Sequence, residues 1–407
     1  VERPAVALGG SERLFDAVRA MMRHRIRRVV VVDEAPDETG RKPIGIISAE
    51  DVSHYRGLDP VATIELIERA RTVEALANLR SESNRRLMRL YQQGVQSEDL
   101  QGVIGELDDQ LKRRALQLVE RELRKEKPEM AFDGEWGWLV FGTAGRREST
   151  IEARQHSGLV YADPGTPKAK TWYLELAKRV TDAFETCGYA PSGSGILASN
   201  ETFCQPLSKW KEMYAHWASG DDALISARAV VAFDARLLVG DEVIGEAIRD
   251  TIASAMPNPR LLSIFVQQGV DINIPLSVFN RFQLERNEDG GEGFDLRVRG
   301  LRPIVDFARA TALEIGYLKS SNTFDRLRAV ANSESPSAPE AKSLIAAMRT
   351  LSDIHLRLQM QAADMGEQPD DWIDPGKLHK SQQNLLKETL KTVQSVKQSL
   401  ASRYIIR

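Results

Sequence analysis

The sequence predicts an α/β protein with a large all-α part. It divides into an N-terminal α/β segment (residues 1–58), a helical connector (59–127), a mixed-sheet α/β domain (128–257) and a C-terminal helical bundle (258–407). Short apolar runs alternate with helical patterns in the first and third parts. The second and fourth parts repeat apolar residues at helical spacing. A chain of 407 residues is long enough to bury several cores.

The composition is typical of a globular protein. Hydrophobic residues make up 42% and charged residues 28% of the chain, which excludes a disordered protein. The formal net charge of −3 gives no bulk attraction to nucleic acid or to a membrane, so we expect neither as a partner. Cys187 and Cys204 are too few for a disulfide framework, and we expect buried free thiols. With no apolar run of transmembrane length and no visible signal peptide, the predicted location is the cytoplasm.

The N-terminal segment has the pattern strand, helix, strand, strand, helix. The run Arg28–Asp33 is a β-branched strand, and Ile44–Ile47 begins a second one. That second strand ends at Ser48, an expected helix N-cap, with Asp51 three residues further on.

This segment resembles one repeat of a CBS domain, a module that senses adenine nucleotides. The resemblance implies that Ser48 and Asp51 bind phosphate and ribose. The alternative is that the two side chains only cap a helix. Such repeats fold in pairs, so we expect the second repeat either upstream of Val1 or in a second copy of the chain, as a homodimer. From Asp59 to Lys127 the pattern is helical, without a catalytic constellation.

The central domain begins with two short apolar runs, 138–141 and 158–161, predicted to be buried strands. Between them lies the turn Gly142–Glu148, small at first and then charged. Glycines let backbone N–H groups approach a phosphate, and arginines add bidentate charge. An ordinary hairpin connection explains the same residues equally well. Further on, we predict a turn and a short strand over 193–200, and a buried strand over 230–236.

The motif order is similar to that of the putative nucleotidyltransferase family related to the PII-protein uridylyltransferases. The motifs of the central domain are Gly142-Thr143-x-Gly145-Arg146-x-Glu148, Leu159–Asp163, Leu197–Asn200, Trp210, Trp217 and Phe233-Asp234-x-Arg236. The C-terminal third resembles the family's substrate-binding domain, through motifs at 294–297, 300–305, 322–327, 356–359 and 373–375. The resemblance implies that Gly142, Thr143, Gly145 and Arg146 bind a nucleotide, with an adenine nucleotide or another NTP as the candidate ligand. It also implies that Asp234 is a catalytic carboxylate.

The sequence departs from this family at the metal site. Family members carry an Asp-Gln-Asp-Asn element, whereas this chain has Arg154-Gln155-His156-Ser157. Because Mg²⁺ prefers oxygen ligands and is repelled by a guanidinium, we expect no metal here. Asp234 then needs another partner, and we predict a direct or water-bridged contact with Arg154. Alternatively, Arg154 clamps a phosphate together with Arg146 and Arg147.

The C-terminal third contributes arginines that either face the cleft or pair with Asp295, Asp306 and Asp325. They are Arg297, Arg302, Arg309, Arg326 and Arg357.

Three functions remain open. The leading one is a signalling pseudoenzyme that senses a nucleotide or binds a protein partner. The second is an active nucleotidyltransferase that modifies a protein, and the third is a scaffold that binds neither nucleotide nor metal. Arg154 and His156 favour the first and third over the second, and the motif at Ser48 separates the first from the third.

Overall fold

The structure is a computed structural model that describes residues 5–33, 41–56, 59–219, 230–256, 258–287 and 290–404. The fold is mixed α/β, dominated by helices, with small sheets. The chain forms two compact units, each built from separate stretches. Unit 1 contains Val1–Ala131, Arg147–Ala153 and Glu175–Pro191, and unit 2 contains Phe132–Arg146, Arg154–Leu174 and Ser192–Arg407.

The N-terminal part of unit 1 has the predicted order of elements. They are β1 (Ala7–Gly9), α1 (Leu14–His24), β2 (Arg28–Val32), β3 (Pro43–Ser48) and α2 (Ala49–Arg56). The strands form one sheet in the order β1-β2-β3, with β1 parallel and β3 antiparallel to β2.

One face of this small sheet is covered and the other is exposed. α1 packs against β2, and Val29 of β2 is fully buried. On the opposite face, the register places Ala7, Val30 and Ile46 side by side across the three strands. Ile46 is 63% exposed and the neighbouring Ile44 is 61% exposed. Apolar side chains presented together in this way are typical of an interaction surface.

Three further helices follow, as the apolar spacing predicts. They are α3 (Pro60–Arg69), α4 (Val73–Gln92) and α5 (Ser97–Glu126). Asp59 caps α3 by accepting from the N–H groups of Val61 and Ala62, and Thr72 caps α4.

The first half of α5 is buried on all sides, although it is rich in acids. Every residue from Ser97 to Lys112 is buried, and arginines from other parts of unit 1 neutralise the carboxylates. Arg13 of the loop before α1 binds Glu98 at 2.9 Å, and Arg23 of α1 binds Glu106 at 3.0 Å. On another side Arg147 lies 3.3 Å from Asp109.

The next stretch of chain contains the central strands. Its elements are β4 (Trp136–Val140), α6 (Gly142–Arg146), β5 (Ala153–Gln155), β6 (Ser157–Tyr161), α7 (Pro167–Thr186), β7 (Tyr189–Pro191), β8 (Cys204–Pro206), α8 (Leu207–Ser219), β9 (Arg236–Gly240) and α9 (Glu242–Ser254). Unit 2 holds a four-stranded sheet in the order β8-β6-β4-β9, with only the β6/β8 pair parallel. Cys187 and Cys204 are buried free thiols, as predicted.

Two predictions for this stretch are wrong. The run 230–236 is not one strand, because Val230–Ala232 is helical and the strand starts only at Arg236. Residues 193–200 form turns without a strand, held by short-range bonds such as Gly195 N–H to the Ser192 carbonyl. Apolar character reflects burial in both places, and burial alone does not distinguish strand from turn or helix.

The C-terminal part of unit 2 is mainly helical. Its elements are α10 (Pro259–Asp271), β10 (Glu285–Arg286), β11 (Glu292–Asp295), α11 (Arg302–Glu314), α12 (Thr323–Ala331), α13 (Ala338–Asp364), β12 (Trp372–Ile373) and α14 (Lys380–Arg403). β10 and β11 pair antiparallel. Within the described ranges, none of the helices has both the length and the apolar character to cross a bilayer.

We predict that Ile46→Lys weakens a homodimer that pairs the exposed sheet faces of two copies. A buried, unpartnered ammonium opposes association, so the dimer Kd should rise about tenfold or more. Sedimentation at micromolar concentration measures this. Val243→Lys, at a site that is 61% exposed in α9, is the matched control. A monomeric wild-type chain would contradict the prediction.

Candidate functional site

Asp234 lies in a tight turn just before β9. Its N–H donates to the carbonyl of Val231 at 3.1 Å, which closes the turn. The preceding Phe233 packs edge-on against Tyr214 and Phe265. The aromatic packing fixes the turn, and Asp234 is 0% exposed.

Three arginines hold the Asp234 carboxylate. Oδ1 accepts from Arg309 Nε at 3.0 Å and from Arg326 Nη1 at 2.6 Å. Oδ2 accepts from Arg309 Nη2 at 2.7 Å and from Arg146 Nη1 at 2.7 Å. All three arginines are buried. We call these four residues the Asp234 cluster; its four charge-assisted bonds engage both carboxylate oxygens.

The arginines reach Asp234 from different elements. Arg146 ends α6, Arg309 lies in α11 and Arg326 lies in α12. Asn322 joins two of these elements. Its Oδ1 caps α12 by accepting from the N–H groups of Phe324 and Asp325, while its Nδ2 donates to the carbonyl of Arg146 at 3.0 Å.

The charges around Asp234 decide its ionisation. Burial by itself would raise the pKa of Asp234, but Arg309, Arg326 and Arg146 outweigh burial and hold that pKa far below its ordinary value. Arg309 also donates to Asp306 at 2.6 Å. Asp234 is therefore a permanent anion whose charge is neutralised within the protein.

The predicted contact between Arg154 and Asp234 is wrong. Arg154 lies in β5 with its side chain exposed, and the partners of Asp234 come from α6, α11 and α12. The prediction was right that a buried carboxylate needs cationic partners. The comparison with the family motif places Arg154 beside Asp234. Two of the actual partners, Arg309 and Arg326, come instead from the C-terminal third.

His156 lies between β5 and β6 and is largely buried. Its Nε2 is 2.7 Å from Ser192 Oγ, which is in turn 2.9 Å from Ser194 Oγ. Burial, followed by the charges of Arg146, Arg297 and Arg154, lowers the pKa of His156 to about 4. The imidazole is therefore neutral at pH 7.

The glycine turn after β4 is a short helix, α6, held by side chains. Arg236 donates to the carbonyls of Ala144 and Gly145 at 2.9 and 3.2 Å, and Ser321 Oγ donates to Gly145 at 2.8 Å. A Cβ on Gly145 would lie 2.1 Å from the carbonyl oxygen of Asp234, so this glycine permits a close backbone approach. Gly142 has a φ of +58°, a left-handed conformation that favours glycine.

Two of the predicted nucleotide-binding residues already have a structural role. Arg146 already binds Asp234, and Gly145 has a packing role. Thr143 is half-buried in α6. Nucleotide binding by Gly142, Thr143, Gly145 and Arg146 stays a prediction.

Ser48 and Asp51 are close together in unit 1. Ser48 Oγ donates to Asp51 Oδ2 at 2.7 Å, and the N–H of each residue donates to the side chain of the other at 2.8 and 3.2 Å. This is a reciprocal cap at the start of α2. The geometry agrees with the capping alternative, and nucleotide binding by the pair stays a prediction.

The five C-terminal arginines all pair with carboxylates, but only Arg309 and Arg326 are buried. Arg302 lies 3.5 Å from Asp306, and Arg357 pairs with Asp353 within α13. Arg297 binds Asp371 at 2.5 Å.

Sequence reasoning missed the acceptors Asp234 and Asp371 as partners of these arginines. It also missed His355, whose Nε2 lies 2.7 Å from Asp371 Oδ1. The sequence does contain one signal for buried pairing in this region, namely the excess of arginines within apolar helices.

The residues at the expected metal position do not fit Mg²⁺. Arg154 offers no ligand atom, His156 offers nitrogen, and both oxygens of Asp234 are engaged by guanidinium groups. In the part of the chain that the structure describes, no group of three or more His, Cys, Asp or Glu side chains is arranged to hold a metal ion.

Comparison with family models identifies three regions. Residues 65–223 match the model described as Putative nucleotidyltransferase DUF294, and residues 259–404 match the Putative nucleotidyltransferase substrate binding domain. Residues 1–57 match the CBS domain. No curated protein matches the chain. The family resemblance inferred from the motifs is confirmed, and Asp234 falls between the two nucleotidyltransferase matches.

We predict that Arg326→Met lowers the free energy of unfolding by about 3 kcal/mol, because it removes one cation from a buried carboxylate. The exposed Arg154→Met should cost no more than about 0.5 kcal/mol. Chemical denaturation measures both. In an Asp234→Asn background, Arg326→Met should cost much less; additive costs would show that the two residues are not coupled.

Stability should also depend on pH through His156. Its pKa is about 4 in the folded chain against an ordinary 6.5, so the unfolded chain binds the extra proton as pH falls below 6.5. The free energy of unfolding should fall by about 2 kcal/mol between pH 7 and pH 5 on this account. Denaturation of His156→Gln should lack that decrease, while the exposed His216→Gln should retain it. Parallel pH profiles for all three chains would refute the assignment.

Proposed function

Since this chain joins a nucleotidyltransferase-like domain and its substrate-binding domain to a CBS domain, we propose that it is a regulatory protein with a degenerate metal site. In this proposal it transfers no nucleotidyl group. It responds instead to a nucleotide or to a protein partner. The proposed domains are residues 1–58, 59–127, 128–257 and 258–407.

The observation that carries the proposal is the Asp234 cluster. A catalytic carboxylate in nucleotidyl transfer must offer oxygen atoms to a divalent ion. Here four guanidinium hydrogen bonds occupy the oxygens. The arginines supply the positive charge that a metal would supply, but they fix it within the fold. Recruiting Asp234 for a metal would require breaking several buried ion pairs.

The contacts around the Asp234 cluster also hold the glycine turn in place. Arg146 and Asn322 tie α6 to α12, so the glycine turn and the C-terminal helices are held in one arrangement. A rigid turn of this kind can present a surface to a nucleotide or to a protein without catalysing a reaction. This supports a binding role for the turn.

A pure scaffold is the second candidate. The observation in its favour is the reciprocal bonding of Ser48 and Asp51, which satisfies both side chains without a ligand. Titration of the full chain with ATP, AMP and UTP, with and without Mg²⁺, separates the two proposals. Binding that Asp51→Ala abolishes supports sensing through this pair.

We predict no Mg²⁺-dependent transfer of labelled nucleotide to protein above background. Incorporation that Asp234→Asn abolishes would instead establish an active enzyme.

Metal binding provides a readout independent of activity. Arg154→Asp with His156→Asp should gain little Mn²⁺ affinity by calorimetry, because Arg309 and Arg326 still hold Asp234. Adding Arg326→Met should increase Mn²⁺ affinity about tenfold or more, since it frees one carboxylate position. Strong Mn²⁺ binding by the first double variant would mean that the cluster opens readily.

A further inference from the structure

A basic cavity of about 610 Å³ lies in unit 1, at the end of α1 and beside α5. This volume is in the range of sites that hold small molecules. Its lining includes Arg23, His24 and Arg25 from the end of α1 and Arg113 from α5. Of the lining residues that the structure describes, none is acidic, and neither Ser48 nor Asp51 is among them.

The helix dipole explains only part of the placement of these basic residues. Basic residues in the last turn of a helix are favoured by the helix dipole, which accounts for Arg23 and His24. Arg113 is different, because it lies within α5, well before that helix ends at Glu126. Two elements therefore direct positive charge to one cavity.

The wall of the cavity is held in place. Arg25 has a φ of +56° because it is the left-handed residue that ends α1, where the N–H of Ile26 donates to the carbonyl of Met21 at 3.1 Å. Arg25 Nη2 donates to the buried Gln110 Oε1 at 3.4 Å, and Gln110 Nε2 donates to the carbonyl of Met22 at 3.4 Å. Gln110 thus connects α5 to the end of α1.

The acids that pair with Arg23 and Arg25 lie outside the lining. Arg23 donates through Nε to Glu106 at 3.0 Å, and Arg25 pairs with Glu68. A guanidinium has five N–H donors, so one carboxylate does not exhaust either side chain. The remaining donors suit the oxygens of a phosphate group.

We propose that this cavity binds the phosphate groups of a small anionic ligand carrying a di- or triphosphate. The inference rests on the proposed role in ligand sensing and gives that role a second site beside Ser48 and Asp51. Three guanidinium groups around one cavity match the high negative charge of such a group. The nucleoside part, when present, would occupy the remaining volume.

The test is calorimetric titration of the full chain at fixed ionic strength with tripolyphosphate, ATP and adenosine. Tripolyphosphate and ATP should bind and adenosine should not. Arg25→Gln and Arg113→Gln should each weaken tripolyphosphate binding about tenfold or more. Arg113→Lys should retain part of the affinity because it keeps the charge. Arg121→Gln, an exposed site further along α5, is the matched control and should bind as the wild type does. Thermal melting verifies that each variant is folded.

The outcomes distinguish this inference from the broader proposal. Tripolyphosphate binding that survives Asp51→Ala but not Arg113→Gln supports the cavity. Equal losses in Arg113→Gln and Arg121→Gln would indicate general electrostatic attraction and overturn it. ATP binding lost in Asp51→Ala and unchanged in Arg113→Gln would leave nucleotide sensing intact and refute the cavity. No binding of tripolyphosphate would also refute it, whatever ATP does.

Discussion

The negative charge of Asp234, buried without access to water, imposes the main constraint on unit 2. Such a charge is stable only when cations and hydrogen bonds replace its hydration. Arg309 and Arg326 meet this requirement from the C-terminal helices, and Arg146 meets it from α6. The turn at Asp234, the glycine turn and two C-terminal helices are consequently positioned by the same carboxylate. An element that moved would leave a charge unpaired.

Much of the fold follows from local patterns. The strand and helix order of the N-terminal segment, the two strands around the glycine turn and the helical stretch from Asp59 to Lys127 are found where the patterns predict them. Helical spacing and β-branched runs are properties of neighbouring residues, so one sequence is enough to recognise them. Residues 230–236 show the limit, because a buried helical turn has the same apolar composition as a buried strand.

The site could be predicted only in part. That Asp234 needs a cation follows from its apolar surroundings, but the identity of that cation depends on which distant helices pack nearby. Arg309 and Arg326 are 75 and 92 residues away in the chain. The burial of the acids in α5 could not be predicted for the same reason. Their partners, Arg13, Arg23 and Arg147, lie on segments that local patterns do not bring together.

Unit 1 is built from separate stretches of the chain, and this affects when it can fold during synthesis. The polypeptide leaves this unit after Ala131 and returns to it twice, with Arg147–Ala153 and with Glu175–Pro191. Those late segments carry Arg147, which pairs with Asp109, and Tyr189, whose hydroxyl donates to Asp108 at 2.7 Å. Until the ribosome has produced residue 191, α5 therefore lacks the contacts that Arg147 and Tyr189 make with two of its buried acids. An N-terminal fragment ending at Ala131 would be an incomplete core rather than an independent domain.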